Sequence, residues 1–150
     1  MPFISDTDLH FSLNLLLAAV YGGLIGFERE VHKRPAGLRT HILICVGAAL
    51  FGMIATSYFS GQAEISRMWQ NILTGVGFLA AGAVLKDEKS VHGLTTAAGI
   101  WVVAAIGLAL AAQLYLLATI AEVILLITLF VLRWLEERYS PKPPDDKERG

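Results

Sequence analysis

Residues 94–132 read LTTAAGIWVVAAIGLALAAQLYLLATIAEVILLITLFVL, a stretch whose only charged residue is Glu122. As a single helix it would be ~58 Å long at ~1.5 Å per residue, about twice the ~30 Å hydrocarbon core of a bilayer. The chain must therefore reverse within it. The turn is expected at Ala112-Gln113-Leu114, although no Gly or Pro marks the place. Two spans follow, Leu94–Ala111 and Leu114–Leu132. Upstream, the same reading gives Leu9–Phe27, stopped by Glu28-Arg29-Glu30, then His41–Phe59, then a shorter Trp69–Leu85 carrying Gln70, Asn71 and Thr74.

The composition agrees. Of 150 residues, 55% are hydrophobic and 17% charged, with a mean hydropathy of +0.57. Soluble domains run near ~45–50% and ~25%. These values argue against a water-soluble globule and, for most of the length, against disorder. A net charge of −1 leaves no footprint for nucleic acid. Cys45 is the only cysteine, which excludes an internal disulfide and a Cys-built metal cluster.

Charge orients the spans. Of the 12 Lys and Arg, only Arg67 lies between spans 2 and 3; the others lie between spans 1 and 2, between spans 3 and 4, or after span 5. Basic residues gather on the cytoplasmic side, so the amino terminus is expected outside and the carboxyl terminus inside. The start has Asp6 and Asp8 but no basic segment before the apolar run, unlike a cleaved signal. The expected fold is all-α: a polytopic membrane protein with five transmembrane helices over residues 1–139. Residues 140–150, polar and Pro-rich, are expected to form a disordered cytoplasmic tail.

Shifting the chain by 56 residues aligns Val20–Phe51 with Val76–Gly107 without a gap, and 10 of 32 positions are identical. Apolar matches inflate such a count. The shared frame Gly26…Gly37-Leu38-Arg39-Thr40 and Gly82…Gly93-Leu94-Thr95-Thr96 is more specific. Both halves are hairpins with the loop inside, so the repeat of helices 1–2 and 3–4 is parallel. Coincidence between two small-residue hairpins is the plain alternative.

Several residues require an explanation in lipid. Asn14, Tyr21 and Glu28 recur every seven residues and share a helical face. They form either interhelical hydrogen bonds or the lining of a pathway that ends at Glu28. Thr40, Thr95 and Thr96 open inward-to-outward helices and can cap them; a polar inner-face pocket is the functional alternative. Helix N-termini there are electropositive, which Glu28 and Glu30 can offset, unless they pair with Arg39. Glu122 lies mid-span with Thr119 and Tyr115 on its face, so it is protonated or partnered. His32, His41 and His92 read as solvated inner-face residues. Gly22-x-x-x-Gly26, Ala48-x-x-x-Gly52 and Gly77-x-x-x-Ala81 permit close helix packing, chiefly within the chain. No nucleophile beside a base, phosphate loop or metal-spaced His pair occurs, so no enzyme is expected.

Four ordered motifs carry a likeness: Gly22-Gly-Leu-Ile-Gly-Phe-Glu-Arg-Glu30, Ala36-Gly-Leu-Arg-Thr-His41, Gly75-Val-Gly-Phe-Leu-Ala-Ala-Gly82, and Val91-His-Gly-Leu-Thr-Thr-Ala-Ala98 with Trp101 and Gly107. Over about residues 13–135 the chain resembles the membrane domain of the MgtC/SapB family. Ala80 stands where the family's run usually has Gly, and the ACT-like carboxy-terminal domain of some members is expected to be absent. The resemblance implies a bacterial inner-membrane protein linked to magnesium limitation and acid stress. Some relatives act on the rotary ATP synthase. It marks Glu28, Arg29, Arg39, Thr40, Gly82, Gly93, Leu94, Thr95 and Thr96 as motif positions; Gly22, Gly26, Gly77, Gly82 and Gly93 are read as helix-packing positions.

Two functions follow as expectations. One is handling or transport of Mg²⁺, or of a coupled ion, past Asn14, Tyr21, Glu28 and Glu122, with Glu28 and Glu122 as the metal-facing carboxylates and no other cofactor. The other is a regulatory protein that docks on a membrane ATPase or transporter. The bilayer is the expected surrounding, and a homodimer is a further partner the small-residue faces allow.

Overall fold

The computed structural model describes residues 6–86 and 91–139. Helix α1 spans Asp6–Val31, α2 Leu38–Tyr58, α3 Gln62–Ala81 and α4 Leu94–Ala111. Helix α5 (Tyr115–Ile127) continues through a π-helical turn, Thr128–Leu132, into α6 (Arg133–Tyr139). The all-α expectation is amended at one place. Strands β1 (Leu85–Lys86) and β2 (Val91–His92) pair antiparallel, Leu85 opposite His92 and Lys86 opposite Val91. The proposed tail, 140–150, lies outside the described residues.

Helix α4 sits at the centre, against α1, α2, α3 and α5, and α2 also packs on α1 and α3. One apolar cluster, with Ala18, Ile25, Cys45, Ala49, Val103 and Ala118, joins α1, α2, α4 and α5. A second, with Ala48, Val76, Ala80, Ile100 and Ala104, joins α2, α3 and α4. Large apolar side chains point outward instead: Leu43 is 70% exposed, Leu116 75% and Phe78 82%. A soluble protein would hide these, whereas lipid solvates them as well as the interior does. Small residues then take the interior, because helices in lipid gain by close backbone contact rather than by escape from water.

The contacts are tight enough to require glycine. A Cβ on Gly22 would lie 2.6 Å from the His41 carbonyl oxygen, and one on Gly26 2.7 Å from Leu38 Cα, so α1 and α2 touch backbone to backbone. Between α2 and α4, a Cβ on Gly52 would lie 2.6 Å from Ala111 Cβ, and one on Gly107 would strike the Cys45 carbonyl. At Gly77 an added Cβ meets nothing within 4 Å, and at Gly82 it would meet only Leu79 of its own helix. Gly93 is a turn residue at φ 86°.

Among the described residues three helical segments are long and apolar enough to cross a membrane: Thr7–Val31, Leu38–Tyr58 and Leu94–Ala111. The expected third span, Trp69–Leu85, is replaced by α3, which starts at Gln62 and includes Glu64 and Arg67. Glu64 accepts a bond from the Gly61 N–H at 3.2 Å and fixes that start. The fifth apolar helix, Tyr115–Val131, is shorter than the three. Helix α1 runs through Glu28-Arg29-Glu30 instead of stopping there.

Helices α1 and α4 end alike. The Arg34 N–H bonds to the Arg29 carbonyl (3.0 Å) and the Lys33 N–H to that of Glu30 (2.9 Å). Likewise Leu114 bonds to Ala109 (2.9 Å) and Gln113 to Leu110 (3.0 Å). Both are Schellman caps, whose left-handed position usually holds glycine. Here Lys33 (φ 53°) and Gln113 (φ 59°) occupy it. Gln113→Gly is therefore expected to raise stability by about 1 kcal/mol in thermal unfolding in detergent. Gly107→Leu should cost about 3 kcal/mol or prevent folding, whereas Gly75→Leu, with open space around it, should be close to neutral.

Candidate functional site

Buried polar groups mark two places. The first is a seam between α1 and α5. The Tyr115 hydroxyl donates to Asn14 Oδ1 at 3.0 Å, and the Thr119 hydroxyl donates to the Tyr115 carbonyl at 2.8 Å. Thr119 has then spent its proton, so the Tyr21 hydroxyl, 2.7 Å away, donates to Thr119 Oγ1. One turn further, Glu122 is 4% exposed. Among the described residues neither of its carboxyl oxygens has a hydrogen-bond partner, and Asn14 Nδ2 also lacks one. Cys45 of α2 lies within electrostatic reach of Glu122. The heptad face of α1 thus meets the Tyr115–Thr119–Glu122 face of α5.

The second place is the end of the bundle that holds the α1–α2 loop and the β-ribbon. Glu28, third in the heptad stripe, lies here and not in the seam. It is 2% exposed and Arg29 4%. Arg29 Nε donates to Glu28 Oε2. His32 Nδ1 lies 2.7 Å from the Glu28 carbonyl oxygen and 2.9 Å from its Oε1. The carbonyl takes the hydrogen bond, because Oε1 is left without one. The expectation of solvated histidines fails at His41, which is fully buried. Its Nδ1 lies 2.9 Å from the Gly37 carbonyl oxygen, and its Nε2 has no partner. Burial follows from the contact of α1 with α2 at Gly22 and Gly26.

The expected threonine caps are absent. Gly37 and Gly93 are the N-caps of α2 and α4, and neither helix has a side-chain cap bond. Helix α2 is served by Glu30 instead, whose Oε2 accepts from the Leu38 N–H at 3.0 Å. Glu30 thus offsets that helix end, as expected, while Arg39 and Thr40 are exposed. Thr95 and Thr96 line a pocket of about 460 Å³ together with Arg29, Lys33, Arg34, His92 and Thr128. The π-turn sets Thr128 and Leu129 against it. Sequence reading missed Lys33, Arg34, His92 and Thr128 as neighbours of Thr95 and Thr96. The available signal was a basic loop in each half facing the same Gly-started helices.

The candidate site residues therefore separate. Asn14, Tyr21 and Glu122 belong to the seam, and Arg29, Thr95 and Thr96 to the pocket. Among the described residues no three His, Cys, Asp or Glu side chains gather to hold a metal. Of the two carboxylates expected to face one, Glu28 is tied to Arg29.

Small-residue helix packing, an apolar exterior and polar groups confined to a seam and one end define a helical membrane protein. The sequence profile of the MgtC family matches residues 15–138, and the chain belongs to that family. It is 40% identical over 139 residues to a protein of Escherichia coli strain K12 named "Putative magnesium transporter YhiD", covering 88% of this chain and 65% of the relative. It is 42% identical over 124 residues to Protein MgtC of Brucella abortus strain 2308, covering 83% of this chain and 52% of the relative. Protein SrpB of Synechococcus elongatus is 41% identical over 174 residues, covering 97% of this chain and 96% of the relative. The chain thus spans about half to two thirds of the first two relatives. No solved structure matches it.

Each seam bond should contribute modestly. Interhelical bonds in membranes average about 0.6 kcal/mol and reach about 1.7. A double-mutant cycle of Tyr21→Phe and Thr119→Val, read by reversible unfolding in mixed micelles, should give a coupling within that range. Tyr115→Phe should cost about as much, because it leaves Asn14 Oδ1 without its donor.

Proposed function

We propose that this chain is a five-pass protein of the bacterial inner membrane that serves magnesium homeostasis by handling a coupled ion, a proton, at Glu122. The amino terminus lies outside and the basic loops inside, in keeping with the distribution of Lys and Arg. Membership of the MgtC family and the magnesium in the name of YhiD support the physiological setting. The repeat of α1–α2 and α3–α4 is supported by reciprocal packing: α1 touches α4 as α2 touches α3, and α2 and α4 meet at the centre.

The observation that carries the reading is the unpartnered carboxyl of Glu122 one turn from two hydrogen-bonded pairs, Tyr21 with Thr119 and Tyr115 with Asn14. An ionised carboxylate without a cation costs several kcal/mol at such a site. A proton removes that cost. Mg²⁺ fits less well. It demands several oxygen ligands and sheds water reluctantly, and the loop end it would enter carries Arg29, Lys33 and Arg34. No resident cofactor and no catalysis enter this reading; Mg²⁺ is the signal and the proton is the ion handled.

A second reading, regulation by docking on a membrane ATPase or transporter or on a second copy, is favoured by an open apolar groove. It lies between α2 and α3, holds about 590 Å³, and is lined by Leu43, Gly47, Phe51, Gly75 and Leu79. Proteoliposomes separate the two. With a pH-sensitive dye inside, the proton reading expects flux that Glu122→Gln abolishes and Lys33→Ala leaves intact, and no Mg²⁺ signal from a magnesium dye. Absence of proton flux from the unaltered protein contradicts it. Co-purification of a membrane ATPase that is lost in Gly75→Leu then supports docking.

A further inference from the structure

The pocket at the loop end carries chemistry that ion handling at Glu122 does not use. Its cations come from two sources. Arg29 is 4% exposed, and of its guanidinium nitrogens only Nε is engaged, by Glu28. Lys33 and Arg34 are exposed on the loop, and neither makes an ion pair among the described residues. Helix α4, residues Leu94–Ala111, begins at the pocket with Gly93 as its cap and, among the described residues, no side-chain cap on its first turn. Those groups and the aligned peptide dipoles favour an anion.

The threonines supply the independent observation. Thr96 is 2% exposed and lines the pocket, yet its hydroxyl makes no hydrogen bond among the described residues. That oxygen is not one of the sealed polar atoms of the interior, so it stays open to the pocket and can meet a ligand oxygen. Thr95 lines the same wall. Thr128 does not compete as a donor, because its proton goes to the Ile124 carbonyl at 2.8 Å. Among the described residues, Glu28 Oε2 is engaged by Arg29 and Glu30 by the Leu38 N–H.

We propose that this pocket binds a phosphate group. An anion with several oxygens uses the guanidinium fork, the ammonium, the two threonine hydroxyls and the helix N–H groups together, which a halide or a single carboxylate cannot. The volume of about 460 Å³ exceeds what one phosphate fills, so the group arrives either free in solution or attached to a larger molecule, a lipid headgroup being the one at hand in a membrane.

The test uses the full chain, delipidated in an uncharged detergent. Inorganic phosphate is titrated by calorimetry, and phosphatidylglycerol added to the micelles is followed by native mass spectrometry. Binding of inorganic phosphate identifies a soluble phosphate ligand; retention of phosphatidylglycerol alone identifies a headgroup. In either case Lys33→Ala with Arg34→Ala should weaken binding roughly tenfold or more, and Thr96→Val should weaken it measurably with the melting temperature kept. If Thr96→Val does not fold, Thr95→Val at an exposed position takes its place. The proposal is overturned if neither probe binds. It is equally overturned if the threonine variants bind as tightly as the unaltered protein, since diffuse surface charge would then explain the affinity. Proton flux at Glu122 is independent of both outcomes.

Discussion

Backbone-to-backbone contact at a few small residues holds this bundle together. In water, helices associate by burying large apolar side chains. In lipid that gain vanishes, and close approach replaces it. Gly22 and Gly26 bring α1 onto α2, and Gly52 and Gly107 bring α2 onto α4. Helix α4 can then touch four neighbours at once. Had these positions carried larger side chains, the helices would stand apart. His41 would not be sealed, and the α1–α2 loop would not meet the start of α4. The loop-end pocket is a product of that contact, since its cations come from one hairpin and its threonines from the other.

Polar groups within such a bundle are costly, and their satisfaction separates structure from chemistry. Tyr115 with Asn14 and Tyr21 with Thr119 are paired and tie α5 to α1. Glu122 stands beside these pairs with neither carboxyl oxygen bonded. At the loop end Glu28 and Arg29 neutralise each other, while Lys33 and Arg34 do not share that compensation. The two places therefore differ in sign. An acid lies within the helical seam and a surplus of cations at one end, so one pathway for a divalent cation through both is electrostatically awkward, and two separate tasks are not.

Much of this was legible in the sequence. Helix α4 begins and ends as its hydropathy requires, at Leu94 and Ala111, and the reversal falls at Ala112-Gln113-Leu114. The length of a bilayer-crossing helix decides both. Helical periodicity alone sets Tyr115 and Thr119 on the face of Glu122, and the heptad stripe of α1 foretells the face that meets them. The failures have physical causes. Lys33 and Gln113 hid two caps because left-handed positions usually advertise themselves with glycine. A small-residue motif does not say which face is packed, so Gly77 looked equal to Gly22 while only Gly22 meets another helix. Thr95 and Thr96 resembled caps because they start a helix, but Gly93 occupies that position. The assembly of Lys33, Arg34 and Thr96 into one pocket depends on tertiary closure, which no local pattern records.

The account rests on α1 crossing the bilayer with the basic α1–α2 loop on the cytoplasmic side. Cysteine labelling in spheroplasts tests this directly. In a Cys45→Ser background, Asp8→Cys should react with a membrane-impermeant maleimide in intact spheroplasts, and Arg34→Cys only after the membrane is permeabilised. Labelling of Arg34→Cys in intact spheroplasts, or protection of Asp8→Cys, would contradict the arrangement on which both the seam and the pocket depend.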